Sequence, residues 1–419
     1  GWYLSIPVAG FVIYQIRTRH AAASLAAFLT SRSGRGATFA FMLVILVRLA
    51  NEIWSNTAVV GAYFGASGTT AYFAGALAFT GVTLLYSLRG GLRSSILTDV
   101  LQLGLGLFLL VFVLALLIPR SGGSGLISSG NWTLGGGVDL LLVALLQSFS
   151  YPFHDPVLTD RGFLTTPRVM LKSYIVAGVV AAAFIVLFGL VGVYGRVTGL
   201  EAGQDSPLRV AEAFGVALTA IMTVLMMVSA GSTLDSTLSS FSRAVVVVLG
   251  GRSRRGGVKA LSAGFAAWLA ERNPIIVGRG VMLAAVVLGS IPLFTGATIL
   301  KATTISGTMV LGLAPAFLLF AWKRPGRFAF HLGFWPGVAI GILHAANAIP
   351  DSWAIGGGPY AALLGANLYG TAVTFGGFAT GAVLERLLTR TRATAATAGV
   401  LLLAAACLPG SSTLAAPAE

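Results

Sequence analysis

Residues 229–240 read Ser-Ala-Gly-Ser-Thr-Leu-Asp-Ser-Thr-Leu-Ser-Ser, between the apolar runs 221–228 and 244–249. At 1.5 Å per residue, the roughly 40 residues of segment 210–249 reach about 60 Å as a helix, twice the hydrocarbon thickness of a bilayer. Such a helix must bend, break or project from the membrane. Ser229, Ser232, Thr233, Ser236 and Ser240 recur every three to four residues, so they share one helix face. Asp235 lies beside that face. Hydroxyls and freed backbone carbonyls suit a hard monovalent cation. The alternative is that the hydroxyls bond back to their own helix or join it to its neighbours.

The surrounding chain is equally apolar. Of 419 residues, 56% are hydrophobic and 10% charged, and the mean hydropathy is +0.88. A soluble domain carries about 25% charged residues. The composition therefore predicts an all-α polytopic membrane protein. Twelve apolar segments stand out: 1–17, 38–65, 70–88, 95–119, 137–153, 169–195, 210–249, 275–294, 297–321, 328–349, 359–388 and 394–409. The net charge of +14 suggests nucleic acid, but the Lys and Arg residues form no continuous face. They sit in every second connection: 17–35, 89–93, 161–172, 251–259, 323–327 and 386–392. That alternation places those loops in the cytoplasm and Gly1 outside, and a multi-pass protein of a bacterial cytoplasmic (inner) membrane is expected. Segment 256–274 reads as a cytoplasmic helical loop, or as an interfacial helix. A single cysteine, Cys407, excludes an internal disulfide. The chain opens inside an apolar run without a basic n-region, and so reads as a fragment of a larger protein rather than a signal peptide.

Polar side chains at bilayer depth cost several kcal/mol unless they find partners or water. Segment 145–164, LLQSFSYPFHDPVLTDRGFL, contains Pro152 and Pro156, which remove backbone donors. A broken spanning helix supplies ligands from unwound backbone. Gln147, Ser150 and Tyr151 precede the break, and His154, Asp155 and Pro156 lie within it; the alternative is a loop leaving the membrane. In segment 38–65, Arg48 and Glu52 are four apart and can pair on one face, with Asn51 and Ser55 on an adjacent one. Segment 86–102, YSLRGGLRSSILTDVLQ, predicts a tight turn at Arg-Gly-Gly-Leu-Arg, a new helix capped by Ser94 or Ser95, and Asp99 and Gln102 one to two turns inside it.

These residues resemble the sodium:solute symporter family. YSLRGGLRSSILTDVLQ is similar to its signature, an aromatic followed by Gly-Gly and then Thr-Asp-x-x-Gln. MMVSAGSTLDSTLSS resembles its sodium-site helix, and PFHDPVLTDRGFL resembles the broken helix of its proline-symporter-like branch. The resemblance covers about residues 1–390. It implies a five-plus-five inverted-repeat transporter fold with extra C-terminal helices. Residues 1–17 match the second helix of the first repeat, so the first core helix is missing and the chain is N-terminally truncated. It implies about eleven helices in a symporter domain over 1–390, with a weak extra helix and a disordered tail over 391–419. The family's sodium site maps to Ser232 and Thr233, with the backbone of Ser229; its functional aspartate maps to Asp99 and its broken-helix proline to Pro156.

The expected function is sodium-coupled symport of a small polar organic solute by alternating access, with sodium as coupling ion and no other cofactor or metal. The expected sodium ligands are Ser229, Ser232, Thr233, Asp235 and Ser236. The expected substrate contacts are Gln147, Ser150, Tyr151, His154, Asp155, Pro156, Asn51 and Glu52. Asp99, Arg48 and Arg161 are expected to act in coupling or structure. A transporter-fold sensor module is the alternative. An enzyme built on His154 and Asp155 is not expected, because no HExxH or Gly-x-Ser-x-Gly accompanies them.

Overall fold

The computed structural model describes residues 1–120, 126, 128, 130, 132–200, 206–249, 263–295, 299–322 and 325–406, apart from the side chains of 90–97, 248–249, 263, 265–266, 270, 295 and 390–406. Among the described residues the chain is helical, with no strand. This is what lipid imposes: each backbone donor and acceptor must be satisfied within the segment that carries it. The helices in order are α1 (Ser5–His20), α2 (Leu25–Gly61), α3 (Thr70–Arg89), α4 (Thr98–Arg120), α5 (Val138–Gln147), α6 (Pro156–Arg161), α7 (Pro167–Val197) and α8 (Ser206–Ala213). They continue with α9 (Val216–Arg243), α10 (Ala263–Ala270), α11 (Pro274–Ser290), α12 (Ile299–Met309), α13 (Leu313–Leu318), α14 (Gly326–Ala345) and α15 (Ala361–Ala406).

Seven described helices are long and apolar enough to cross a membrane: α2, α3, α4, α7, α9, α11 and α14, with α9 and α11 extending into the turns that follow them. The protein is a multi-pass helical membrane protein. The twelve apolar segments map onto it unevenly. Segment 1–17 is a 3-10 turn followed by the sixteen-residue α1. Segment 137–153 gives the ten-residue α5 and a 3-10 turn. Segment 297–321 is interrupted between α12 and α13, where Leu313 N–H bonds to Val310 O at 2.8 Å and Pro315 has no N–H to offer. Segment 210–249 is interrupted near its start, at Gly215 (φ 95°), so the hydroxyl-rich stretch lies on one unbroken helix. Segments 359–388 and 394–409 fall in one helical run that is described to Ala406. Cys407, the rest of the tail, the basic loop 251–259 and the first part of segment 256–274 lie outside the described residues.

Helical hydrogen bonding runs from Thr70 to Arg120, yet α3 and α4 are two limbs of a hairpin. Phe79 Cζ and Gln102 Nε2 approach the same point above Gly231, at 3.7 and 3.5 Å. Twenty-three residues of straight helix would hold them about 35 Å apart. The chain therefore doubles back between Phe79 and Gln102, a span that includes the expected Arg-Gly-Gly-Leu-Arg turn. In α2, Gly34 (φ 85°, ψ 179°) interrupts the helix, a backbone angle that glycine adopts without a side-chain clash.

The basic connections gather at one end. Arg17 donates to Gly162 O at 2.7 Å and Thr165 O at 2.6 Å. His20 donates to Phe320 O at 2.9 Å, Arg32 to Leu319 O at 3.0 Å and Arg279 to Leu88 O at 3.1 Å. This gathering agrees with the loop alternation read from sequence. The main core joins α1, α2 and α7 to α13, α14 and α15 around Phe28, Phe41, Phe153, Phe317, Phe330, Phe334 and Phe378. A second core joins α4 to α7, α8 and α9. The antiparallel pair α14 and α15 meets backbone to backbone. A methyl on Gly377 would sit 2.2 Å from Leu332 O, and one on Gly381 would sit 2.4 Å from Phe328 O, the small-residue packing favoured where lipid offers no hydrophobic drive.

Candidate ion and substrate sites

The broken helix expected at Pro152 and Pro156 is present. The last turn of α5 ends at Gln147, residues Tyr151–His154 form a 3-10 turn, and α6 restarts with Pro156 at its first position. Asp155 caps α6, its side chain accepting from Leu158 N–H at 3.3 Å. The short α6 then spans about 9 Å and connects two polar clusters.

The first cluster surrounds Arg48, which is 6% exposed. Arg48 pairs with Glu52 on its own helix, as their spacing predicts. It lies 3.8 Å from Asp155 and 5.2 Å above the Tyr151 ring. Glu52 also accepts from Asn56 Nδ2 at 2.8 Å, and Asn51 accepts from Trp54 Nε1 at 2.7 Å. His154 Nδ1 faces Tyr151 O at 2.5 Å. A carbonyl can only accept, so Nδ1 carries the proton and Nε2 accepts from Ser306 Oγ at 2.8 Å. Gln147 is fully buried. Its amide nitrogen reaches Asn367 Oδ1 at 3.0 Å, with Thr304 O and Thr308 Oγ1 at 3.3 Å, and its oxygen accepts from Trp2 Nε1 at 2.9 Å. Ser150 Oγ donates to Gln147 O at 3.2 Å. The expected substrate residues from Gln147 to Pro156 thus lie on the break and Glu52 reaches it through Arg48, while Asn51 bonds only within its own helix among the described residues; Gln147 ties α5 to α12 and α15.

The second cluster is on the hydroxyl stretch of α9. Ser232 Oγ donates to Asp99 Oδ1 at 2.5 Å. Arg161, the last residue of α6, donates to Asp99 Oδ2 at 2.7 Å and to Ser236 Oγ at 2.8 Å. Ser236 Oγ in turn lies 3.2 Å from Asp235 Oδ1, and Thr98 Oγ1 donates to Asp235 Oδ2 at 3.1 Å. Tyr86 donates to Gly231 O at 3.2 Å. About two turns further along, Arg243 pairs with Asp160. A cavity of about 570 Å³ opens beside the cluster, lined by Arg161, Ser236, Ser239, Asp160 and Arg243.

The hydroxyl face divides. Ser232, Asp235 and Ser236 turn toward α4 and α6. Thr233 Oγ1 instead bonds back to Ser229 O at 3.3 Å, and Ser229 is exposed. Thr98 and Tyr86 are members that the sequence reading did not single out; Thr98 precedes Asp99 in the Thr-Asp-x-x-Gln motif, so a signal for it was present. No three His, Cys, Asp or Glu side chains gather as a metal set among the described residues. The donor set is hydroxyls, two carboxylates and carbonyls, which suits a small hard cation.

A search of family models and a search of curated proteins gave no match to this chain. Among solved structures, it resembles one described as "Substrate-bound outward-open state of a Na+-coupled sialic acid symporter reveals a novel Na+-site". The TM-score is 0.61 at 13% sequence identity, over 90% of this chain and 83% of that chain. At that identity the likeness is one of architecture: the fold is similar to that of a solved transporter.

Proposed function

We propose that this protein is a secondary active transporter that couples sodium entry to symport of a small polar organic solute by alternating access, in a bacterial cytoplasmic membrane. The observation that carries this reading is the Asp99–Ser232–Asp235–Ser236 oxygen cluster, set on a transporter fold beside a cavity at the basic end. The sodium ligands are drawn from Ser229, Ser232, Thr233, Asp235 and Ser236, to which the geometry adds Asp99. The solute lies by the break, against Asn51, Glu52, Tyr151, His154 and Asp155. Both ligands favour one arrangement of α6, and each thereby raises the other's affinity.

The test is uptake into membrane vesicles from a panel of amino acids, sugars and short carboxylates, with and without an inward sodium gradient. One solute accumulating only with sodium, with a sodium half-saturation raised in Asp99→Asn and Ser232→Ala, is the expected result. Accumulation driven by protons and indifferent to both substitutions sinks the sodium reading, and no accumulation under any gradient sinks the transporter reading.

A further inference from the structure

Arg161 places a positive charge on the oxygens proposed for sodium. Its Nη2 bonds at once to Asp99 Oδ2 and Ser236 Oγ, and two cations do not share such acceptors without strong repulsion. Three features make this a removable occupant. The Arg161 side chain is 35% exposed and lines the 570 Å³ cavity, so it has water to withdraw into. It is carried by α6, a helix of six residues held at its other end by Asp155 beside Arg48. Gln102 lies three residues beyond Asp99 on the same helix, hence on the same face, and its Oε1 is buried without a hydrogen-bond partner. With its amide nitrogen against Gly231, next to Ser232, Gln102 offers an acceptor beside the cluster that the arginine does not use.

Resting on the sodium-coupled reading above, we propose that Arg161 is a tethered cation that competes with sodium for the Asp99–Ser232–Ser236 cluster. Sodium entry displaces the guanidinium into the cavity and releases the C-terminal end of α6. The movement reaches Asp155, Arg48 and the Tyr151 ring at the other end of the same helix. Return of Arg161 expels the ion toward the basic side. The arrangement makes α6 the element through which ion and solute sense each other.

The test is equilibrium binding of radioactive sodium to the purified full chain in detergent, for the parent, Arg161→Gln, Arg161→Lys and Asp99→Asn. If Arg161 occupies the cluster nine-tenths of the time, its removal tightens sodium binding about tenfold, because apparent affinity scales with the competent fraction. Arg161→Lys falls between, since a lysine keeps the charge but is a shorter, more strongly hydrated point charge than the planar guanidinium. Guanidinium ion at low millimolar concentration competes with sodium on Arg161→Gln more strongly than on the parent, which a merely structural arginine would not produce. An unchanged or weaker sodium constant in Arg161→Gln, with binding lost in Asp99→Asn, overturns the competition while leaving the sodium site standing. Binding indifferent to both substitutions overturns the site, and the competition with it. If Arg161→Gln does not purify folded, Arg161→Lys decides, and an unchanged constant there overturns the proposal.

Discussion

The two polar clusters at the ends of α6 have similar inventories and opposite surroundings. Each sets an arginine among carboxylates. Arg48 is closed in by Glu52, Asp155 and the Tyr151 ring, and lines neither described cavity. Arg161 holds Asp99 and Ser236 but opens onto one. The lesson is that access to water, more than residue type, separates a charge that stays in place from one that can be exchanged. A buried pair cannot part without leaving a charge in hydrocarbon, whereas one beside a wet cavity can.

Substituting Arg48 tests the contrast most severely. Arg48→Met leaves the half-buried Glu52 and Asp155 without their buried counter-charge and is expected to cost about 3 kcal/mol of stability, the low end for breaking a buried pair, read as lost folded yield and a lower unfolding temperature in detergent. A variant that unfolds like the parent would remove the distinction between the clusters. Asp99→Asn should show the opposite profile, with a small change in unfolding temperature because Arg161 can reach water. Its sodium affinity should fall steeply, since a carboxylate about 4 Å from a cation contributes on the order of 4 kcal/mol at an effective dielectric of 20; isotope binding measures it, and retained affinity would contradict the assignment.

Smaller effects sharpen the boundary. Gln147→Leu removes the ties to Thr304, Thr308 and Asn367. It leaves buried groups unpaired, for about 1–3 kcal/mol of stability, and solute transport should survive in proportion to folded protein. A selective rise in the solute half-saturation at unchanged stability would instead make Gln147 a solute contact. Last, Ser232→Ala and Thr233→Ala separate two neighbouring hydroxyls. Ser232 bonds to Asp99 whereas Thr233 bonds to its own helix, so Ser232→Ala should weaken sodium binding by about tenfold, the worth of one charge-assisted hydrogen bond, and Thr233→Ala by less. Equal losses would return both to the ion.

Much of this organisation was legible in the sequence for local reasons. Arg48 and Glu52 pair because they are four apart on one helix, and the break after Gln147 follows from Pro152 and Pro156, which have no N–H. The reversal between α3 and α4 falls in a span that carries a glycine pair between basic residues. What was hidden depends on packing between distant segments. Nothing in the spacing of α9 says that Ser232 and Ser236 meet Asp99 while Thr233 does not, because that is decided by where α4 and α6 dock. Arg161 was expected to act in coupling or structure, but nothing in its spacing says that it meets Asp99 and Ser236, which the seating of α6 decides. Apolar length also overstates spanning helices, since 297–321 reads as one largely apolar segment and is still interrupted between α12 and α13.

The seam between α14 and α15 sets which sequence changes this part of the protein can absorb. Gly377 and Gly381 touch Leu332 and Phe328 through carbonyl oxygens, not through side chains. The glycines can take no substituent without prising the helices apart. Leu332, whose own side chain is exposed, contributes only main chain to that contact. Over many generations the two sides of one contact would therefore drift unequally, one locked to a single residue and the other open to any apolar side chain that lipid accepts.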